Sequence, residues 1–595
     1  MRTKCKLLSC LLSLLLLLLP LSAFADVLTG QGQGLFGAVV VEVTTEDGKI
    51  TDVTVKEHSE TEGIGTLAVE QLPAKIVEAQ STNVDSITGA TYTSDGIKQA
   101  VENALAGAAA QEAPALEDIA IDADAIIIGG GLSGMTSAIR ATQLGAKVVL
   151  LEGTNRLGGC LYFAGGSISA AGYKIQKENG IEDTPDTYFN ELVAMNGDYP
   201  VNQSMLRTYV DKAGWTLDWL DEYVGVDFGD RHVDGGGYQQ TSNPRVTYAL
   251  GKSAAGAGVG FYNACQAKID ELVAAGQVQV ILNAYVTELI QKDGAVIGCK
   301  VGDKEYFAPN VVLATGGYGA GEEWLKKTIF TNVATSDPHT SDGSGLTLAT
   351  SVGGQLGNMD YISPYTGAIP VDGFSCTLRA NIRYPGAIWV DKHGDRLDDE
   401  KAAAMDSKRS GEIWVGKAED NIVYVIISEG MIDKETALVN PAMGGAPLSN
   451  KGWDRFEEVL AEGKFIFKAD TMEELGEKIG AENLAKTVAQ YNTDAAAGAD
   501  SVFGRTEELV AFENGPFYAL YTIPWVLQSA GGVIINEKGQ VLDEANAPIP
   551  GLYACGELIG SANVDGHVTV GGFIHSFTST FGAIVGESIA ESIAK

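Results

Sequence analysis

Residues 124–134 read Asp-Ala-Ile-Ile-Ile-Gly-Gly-Gly-Leu-Ser-Gly, an apolar run followed by a glycine cluster. The apolar run predicts a buried parallel strand, and the glycines predict a tight turn that opens a helix over residues 135–144. A second apolar run, residues 147–151, ends at Glu152, twenty-three positions after Gly129. Glycines so placed let a pyrophosphate reach the helix N-terminus, and the acid can bond ribose hydroxyls. The segment therefore predicts a dinucleotide-binding βαβ unit.

A second glycine turn lies at residues 85–91, which read Asp-Ser-Ile-Thr-Gly-Ala-Thr. A Gly-Ala turn between hydroxyls at the start of a helix offers backbone N–H groups to a phosphate, and Thr91 could hold that phosphate as an ester. The same residue types would serve equally well to cap a helix over residues 94–106. The heptapeptide resembles the FMN-attachment motif of the FMN-binding domain family. That resemblance implies covalent FMN on Thr91, with Asp85 as its motif partner.

Composition divides the chain around these two motifs. Alternating apolar residues over 37–57 predict a hairpin, and a helix over 64–79 follows. Together with the Thr91 turn they predict a small α+β domain over residues 26–106. Residues 107–121, rich in Ala, Gln, Glu and Pro, predict a linker. The rest of the chain is too long for one further core, because single cores stop growing near roughly 250–300 residues.

The first 25 residues have the pattern of a cleavable signal peptide, with Arg2, Lys4 and Lys6 before an apolar run and small residues at its end. We therefore expect export to the cell surface, the periplasm or the medium. We expect no stable membrane insertion, because no later stretch reaches the roughly 18 unbroken apolar residues of a span. Cleavage would change the formal charge from −36 to −39, since three basic groups and no acids are lost. Nucleic acid is an unsuitable partner for such a chain.

Glycine motifs continue in order beyond the βαβ unit, and any one of them could be an ordinary turn. They are residues 157–159 (Leu-Gly-Gly), 164–166 (Ala-Gly-Gly), 312–317 (Val-Leu-Ala-Thr-Gly-Gly), 341–343 (Ser-Asp-Gly) and 551–557 (Gly-Leu-Tyr-Ala-Cys-Gly-Glu). The ordered set resembles the fumarate reductase and succinate dehydrogenase flavoprotein superfamily. With the Thr91 domain in front, the chain is most similar to secreted flavocytochrome c-like fumarate, urocanate and acrylate reductases. The resemblance implies FAD, bound non-covalently, rather than NAD.

The same resemblance implies the fold class. We expect an α/β fold with a Rossmann-type FAD-binding domain, residues 122–356 and 525–595, and an inserted clamp domain, residues 357–524. The small α+β FMN-binding domain precedes them. Beyond residue 25 the cysteines form no Cys-x-x-Cys pair, so we expect no metal site. The residues that the resemblance assigns to FAD contact are Gly129, Gly131, Ser133, Gly134, Glu152, Gly158, Gly159, Cys160, Gly165, Gly166, Val286, Ala314, Thr315, Gly316, Asp342, Gln528, Glu557 and Gly572.

The catalytic positions of the family are only partly retained. The resemblance puts Arg383 at the proton-relay arginine, but Ala380 replaces the relay glutamate and Ala404 the arginine acid. Lys408 and Arg409 lie close enough in sequence to substitute for that acid. As alternatives, Arg383 and Arg409 could be surface ion-pair partners.

Carboxylate binding has changed more. Tyr365 stands where the resemblance expects a carboxylate-binding histidine. His567 opens the segment that lacks the second clamping arginine. Two carboxylates need two cationic clamps, so fumarate is disfavoured, and the missing arginine counts against urocanate as well. We expect an aryl acrylate, an enone or another conjugated carbonyl, with Arg383, Arg409, Tyr365 and His567 as catalytic candidates, although Tyr365 could simply pack in the clamp.

These observations predict an exported, anaerobic respiratory reductase of the kind that acts on CH–CH groups. Electrons would pass from covalent FMN to FAD and then, as hydride, to the C=C bond of a small unsaturated substrate. A membrane electron donor or a flavin transferase would be its protein partner. Two alternatives stay open. One is a dehydrogenase of the 3-ketosteroid type, which residues 576–582 loosely resemble, and the other is a non-enzymatic flavin electron shuttle.

Overall fold

The computed structural model describes residues 26–46, 48–60, 65–87, 90–107, 116–236, 241–251, 257–327, 332–335, 337–361, 365–370, 378–379, 386–404, 407–431, 453–568 and 570–594. Two compact units separate within these ranges, the first ending before residue 115 and the second following it. Each is described by itself.

The first unit is a three-stranded antiparallel sheet covered by two helices. Its elements are β1 (Asp26–Gln33), β2 (Ala38–Glu46), β3 (Lys49–Glu57), α1 (Gly65–Ala79) and α2 (Thr91–Leu105). The predicted hairpin is β2–β3, whereas β1 was not expected. Strand β1 pairs with β2 along its whole length, from Asp26 opposite Thr45 to Gln33 opposite Ala38.

Glycines in β1 explain how this polar strand joins the core. A Cβ on Gly30 would lie 2.1 Å from the Ala100 carbonyl oxygen, and one on Gly32 would lie 2.0 Å from the Gly96 carbonyl oxygen. Only glycine allows α2 to approach the strand this closely. The apolar residues of β2 alternate inward against the helices. The buried core of the unit includes Val39, Val41, Val43, Leu72, Ile76, Ile97 and Val101.

The second unit begins with the predicted βαβ segment. Its first strands are β4 (Ala125–Ile128), β5 (Val148–Leu151), β6 (Ser167–Ser169), β7 (Val246–Tyr248), β8 (Val278–Ile281), β9 (Glu288–Lys292), β10 (Ala295–Val301), β11 (Lys304–Phe307) and β12 (Asn310–Leu313). Its first helices are α3 (Leu132–Gln143), α4 (Lys174–Glu178), α5 (Pro185–Asn196), α6 (Gln203–Trp219) and α7 (Gly258–Ala274), with 3₁₀ and π turns at Gly159–Tyr162 and Leu220–Val224.

The middle of the unit contains a seven-stranded sheet built on one long strand. The helices of this part are α8 (Glu322–Leu325), α9 (Ser344–Ser351), α10 (Glu400–Ala404), α11 (Ser407–Glu412), α12 (Trp453–Glu462), α13 (Met472–Ile479) and α14 (Leu484–Ala497). Its strands are β13 (Ala334–Thr335), β14 (Leu356–Gly357), β15 (Tyr365–Ile369), β16 (Leu378–Arg379), β17 (Ile388–Val390), β18 (Val423–Ser428), β19 (Ile466–Ala469) and β20 (Phe517–Val526). Strand β20 pairs with β15, β18 and β19 in antiparallel fashion and with β13 in parallel.

The chain then returns to the first sheet. The last elements are β21 (Gly532–Val533), β22 (Gln540–Leu542), β23 (Pro548–Ala554) and α15 (Phe573–Ile593), with 3₁₀ turns at Gly556–Ile559 and Ser561–Asn563. The order of this six-stranded sheet is β22-β23-β12-β4-β5-β8. All pairs from β23 to β8 are parallel, as a Rossmann-type sheet requires.

This register brings distant segments to one edge of the sheet. Ile128 lies opposite Leu151 and Leu313, and Leu313 lies opposite Ala554. The segments that follow these strand ends therefore meet at the carboxyl edge, where ligands of open α/β sheets bind. Among the helices in the described ranges, none has the length and apolar character needed to cross a membrane.

Candidate active site

The glycine turn after β4 has a backbone that other residues could not adopt. Gly129 has φ +106°, and its N–H donates to the Leu151 carbonyl at 2.8 Å. A Cβ on Gly134 would lie 1.9 Å from the Gly129 carbonyl oxygen. By contrast, no described atom lies within 4 Å of where a Cβ on Gly131 would be. The helix begins at Leu132, three residues before the predicted start, because Gly131 serves as its N-cap. This open helix N-terminus suits a phosphate.

The acid at the end of β5 is already fixed in place. Glu152 Oε2 accepts a hydrogen bond from the Gly130 N–H at 2.8 Å, and its Oε1 accepts from the N–H and the hydroxyl of Thr154, both at 2.8 Å. Burial raises the pKa of this carboxyl, against the lowering effect of these hydrogen bonds. A buried acid next to an open phosphate site fits the ribose of a dinucleotide.

The turn after β12 faces the same edge. Thr315 Oγ1 is buried and has no hydrogen-bond partner among the described residues. Gly316, with φ +80°, follows it. An orphaned hydroxyl here is what a bound dinucleotide would satisfy.

Asp342 accepts hydrogen bonds from the Ser344 N–H at 2.8 Å and from the Tyr285 hydroxyl at 2.7 Å. Tyr285 is half exposed and was not predicted, although its neighbour Val286 was.

The other residues expected to contact FAD lie in loops and turns of the second unit. A left-handed backbone is found at Gly158, Gly159, Gly166 and Gly572. Cys160 lies in the 3₁₀ turn that begins at Gly159. Gly165 is half-buried, and Val286 and Gln528 are buried. At the strand ends, a Cβ on Gly556 would lie 2.3 Å from Ser133 Oγ. The turn before Glu557 is therefore packed directly against the start of α3.

Two partly buried acids, Asp337 and Glu557, lie beside this turn. Glu557 Oε1 accepts hydrogen bonds from the Ser529 N–H at 2.7 Å and the Ser529 hydroxyl at 2.8 Å. Burial raises the pKa of Glu557, and burial together with the charge of Glu557 raises that of Asp337 well above its usual range. Burial, then the charges of Asp337 and Glu557, also raises the pKa of the Cys160 thiol, which lies 3.5 Å from Ser341 Oγ.

His567 is held by residues from three other segments. Its N–H donates to Asn196 Oδ1 at 2.8 Å, and Asn196 Nδ2 donates to the Asp565 carbonyl at 2.6 Å. The imidazole stacks on Tyr361 with ring centroids 3.6 Å apart and planes 7° apart. The Tyr199 ring lies 4.2 Å away at 39°. Neither Asn196 nor these tyrosines was predicted; the only hint was the position of Tyr361 between Asp360 and Tyr365.

Two more ionisable groups are buried close in sequence to His567. Both carboxyl oxygens of Asp565 lack a hydrogen-bond partner in the described part of the chain, and burial raises its pKa well above the usual range. His575 Nδ1–H donates to the Ser167 carbonyl at 2.8 Å, and burial lowers its pKa to about 4. Burial therefore favours the uncharged form of both side chains. The described ranges contain no group of three or more His, Cys, Asp and Glu residues that could bind a metal.

Arg409 is the cationic candidate whose side chain is described. Its Nε donates to Asp398 Oδ1 at 3.0 Å, and Lys417 Nζ donates to Asp398 Oδ2 at 2.6 Å. Burial alone would raise the pKa of Asp398, but these two cations outweigh it and hold that pKa below its usual value. The Arg409 side chain is 38% exposed, so the ion pair does not enclose it.

The other catalytic candidates are only partly visible. Arg383 lies outside the described residues, as do Ala380 and the side chain of Lys408. The backbone of Tyr365 pairs with Trp525 in β15–β20, but its side chain also lies outside the described part. The structure therefore describes two of the four predicted side chains, Arg409 and His567. The roles of all four stay predictions.

The Thr91 turn belongs to the first unit. Thr91 is exposed and is the first residue of α2, three residues before the predicted helix start. The shift arises because Ser94 Oγ accepts the Ile87 N–H at 3.0 Å from inside the first turn rather than capping it. Thr88 and Gly89 lie outside the described residues, and Asp85 is exposed. An exposed hydroxyl at a helix N-terminus can receive a phosphate ester.

The parallel sheet, the open glycine turn and the buried acid define a Rossmann-type dinucleotide-binding protein. Residues 124–573 match the model of the FAD binding domain, and residues 34–106 match that of the FMN-binding domain. The urocanate reductase of Eggerthella lenta is 30% identical over 567 residues, which cover 90% of this chain and 88% of that protein. The chain belongs to the FAD binding domain family, with an FMN-binding domain in front, which confirms the predicted family and fold class.

Other comparisons agree. The NADH:acrylate oxidoreductase of Vibrio harveyi is 27% identical over 95% of this chain, which spans 61% of that relative. The open conformation of a flavocytochrome c3 fumarate reductase has TM-score 0.59 at 22% identity, covering 80% of this chain and 79% of that one. The 3-ketosteroid delta1-dehydrogenase of Sterolibacterium denitrificans has TM-score 0.63 at 18% identity, covering 79% and 99%. These two structures show the fold alone. The chain is an FAD-dependent oxidoreductase of the class that acts on CH–CH groups. The alternative hypothesis of a non-enzymatic flavin electron shuttle is therefore not retained.

Proposed function

We propose that this chain is an exported reductase of α,β-unsaturated carbonyl compounds other than fumarate. It adds one hydride and one proton to the C=C bond of the substrate. Its relatives are named for reduction of urocanate and acrylate, which supports the reaction type. Export rests on the signal-peptide pattern of residues 1–25. The physiological role would be that of an anaerobic terminal reductase fed by a membrane electron donor.

The observation that carries the proposal is the lining around His567. A dicarboxylate needs a second strong cation opposite the first. Here a histidine is stacked on Tyr361 and bonded to the neutral amide of Asn196, and burial of the nearby Asp565 favours the uncharged form of its carboxyl. Such a surface suits one carbonyl or carboxylate group attached to an apolar or aromatic body.

The residues of the chain divide the work of the reaction. Bound FAD would supply the hydride for the β-carbon. His567 donates a hydrogen bond to the substrate oxygen, where negative charge develops as the β-carbon is reduced. A cationic side chain, Arg409 or Arg383, gives its proton to the α-carbon and completes the saturated product. In the first unit, Thr91 would hold FMN through a phosphoester, placed there by a flavin transferase, so that the cofactor is not lost outside the cell.

The test is a two-way screen on the purified holoprotein under anaerobic conditions. Dithionite-reduced protein is mixed with cinnamate, 2-cyclohexenone, a 3-ketosteroid, urocanate or fumarate, and flavin absorbance is followed. We expect fast reoxidation by cinnamate or by an enone and slow reoxidation by fumarate and urocanate. The saturated counterparts should not reduce the oxidised protein. Preference for fumarate, or reduction by a saturated compound, would overturn the proposal.

A further inference from the structure

One buried amide organises the turn that carries His567. Asn196 is the last residue of α5 and is fully buried. Besides its bonds to His567 and Asp565, its Nδ2 donates to the Leu192 carbonyl at 2.8 Å, which anchors the amide to its own helix. Gly566 has φ +77°, and a Cβ there would lie 2.3 Å from Asn196 Oδ1. The turn over residues 565–567 is therefore wrapped around the amide.

Asn196 also places one of the two rings beside the imidazole. The Tyr199 N–H donates to the Asn196 carbonyl at 3.2 Å. Two tyrosine rings at 3.6 and 4.2 Å from the same imidazole cannot share one of its faces. The imidazole of His567 therefore lies between Tyr361 and Tyr199, with both faces covered.

The covered faces of the His567 ring limit how it can contact a ligand. A ring whose faces are occupied cannot stack on a ligand, so a ligand meets only its edge, where the two nitrogens lie. The edge of an imidazole is a directional donor to a single oxygen atom. It differs from an arginine, whose planar fork grips both oxygens of a carboxylate.

We propose that Asn196, Tyr361 and Tyr199 are positioning residues that hold the edge of His567 toward the substrate, so that one imidazole N–H binds one oxygen of a conjugated ketone or monocarboxylate. The inference rests on the proposed function, which it narrows to substrates with one carbonyl-type group at this position. The donor strength comes from His567, and its direction comes from the three residues around it.

The kinetic test compares ring removal with ring retention. The holoenzyme is assayed for reduction of trans-cinnamate with reduced methyl viologen as donor, and kcat and KM are measured for the original enzyme, Tyr361→Leu and Tyr361→Phe. We expect kcat/KM to fall about tenfold in the leucine variant, the value of one hydrogen bond, and to stay within about twofold in the phenylalanine variant. Equal kinetics for Tyr361→Leu and the unmodified enzyme, or an equal loss in both variants, would overturn the positioning role.

A second measurement does not depend on turnover. The chain has six histidines, so the ring signals of a ¹³C-histidine-labelled holoprotein can be separated, and His567→Gln identifies the signal of His567. We expect that signal to be shifted by the tyrosine rings, to move when 3-phenylpropanoate is added, and to lose both shifts in Asn196→Ala. A His567 signal at the position of an exposed histidine, or one unmoved by the ligand, would overturn the inference. If no alkene is reduced but these shifts appear, the proposed reaction fails while the placement of His567 stands.

Discussion

Glu152 accepts a hydrogen bond from the backbone N–H of Gly130 at 2.8 Å, across the turn that joins β4 to α3. This hydrogen bond connects the acid that follows β5 to the glycine turn that follows the neighbouring strand β4. The carboxyl is thus oriented before any ligand arrives, and it is buried, which raises its pKa. Charge at this position is unfavourable for the apoprotein and useful only when ribose hydroxyls bind it.

Replacing Glu152 by glutamine should separate these two effects. Glu152→Gln keeps the shape and removes the charge, so we expect the FAD dissociation constant to rise about 10- to 100-fold, the value of hydrogen bonds to a charged group. The apoprotein should have a lower Tm than the original, since glutamine has one acceptor oxygen and its NH2 group must face one of the donors that now bond Glu152. Flavin fluorescence titration and thermal denaturation measure the two quantities. Unchanged FAD affinity would contradict the assignment of Glu152.

Gly131 should tolerate a methyl group until FAD binds. No atom of the described chain lies within 4 Å of a Cβ built there, and its φ of −72° is open to alanine. We expect Gly131→Ala to leave the apoprotein Tm within about 2 °C and to weaken FAD binding about tenfold or more, because the methyl group occupies the phosphate approach. Gly416→Ala is the matched control, since that position is equally open to a Cβ. A similar effect of both variants on FAD affinity would count against a phosphate site at Gly131.

The βαβ unit could be predicted because its signals are local. Apolar runs and glycines at fixed spacing specify β4, α3 and β5. The start of α3 lies three residues earlier than predicted, and the end of α3 and the start of β5 differ by one residue each. Strand β1 could not be predicted in this way, because Gly30 and Gly32 disfavour a strand and the residues between and after them are polar. It is a strand because it pairs with β2 and lies against α2 through its glycines.

The buried acid pair should make stability depend on pH. Asp337 and Glu557 both have pKa values raised by burial, so the folded protein holds their protons more tightly than the unfolded chain does. The contribution of these two carboxyls to folding stability is complete below their unfolded-state pKa of about 4. It is lost as pH rises toward their folded-state pKa values. We expect Asp337→Asn to raise the apoprotein Tm by about 1–3 °C at pH 8 and hardly at all at pH 4.5. Thermal scans at both pH values check this, and a lower Tm for the variant at pH 8 would be inconsistent with it.

Arg409 and Lys417 allow proton donation to be separated from ion pairing. Both donate to Asp398, and both are partly exposed, at 38% and 43%. We expect Arg409→Ala and Lys417→Ala each to cost about 0.5–1 kcal/mol of unfolding free energy. Only the arginine variant should lower kcat, by about 100-fold, if Arg409 is the acid. Equal kcat values in the two variants would assign Arg409 to the ion pair alone and leave Arg383 as the donor.

The site could be predicted only where its residues follow a motif. Glu152, Thr315 and Glu557 come one, two and three residues after the end of a strand, so their positions follow from the sheet. The contact between Asn196 and His567 joins residues 371 positions apart, and neither lies in a pattern that names the other. Such pairs arise from the packing of α5 against the last turn before α15, which depends on the complete fold.

The flavin content of the native protein shows whether one chain carries both FAD and FMN. Protein purified from its own host is denatured, the released flavin is identified by chromatography, and the peptide that contains Thr91 is weighed by mass spectrometry. We predict one FAD released per chain and one FMN retained on that peptide, kept in Thr91→Ser and in the control Thr82→Ala but absent in Thr91→Ala. An unmodified Thr91 peptide in the native protein, or a single flavin per chain, would contradict the account.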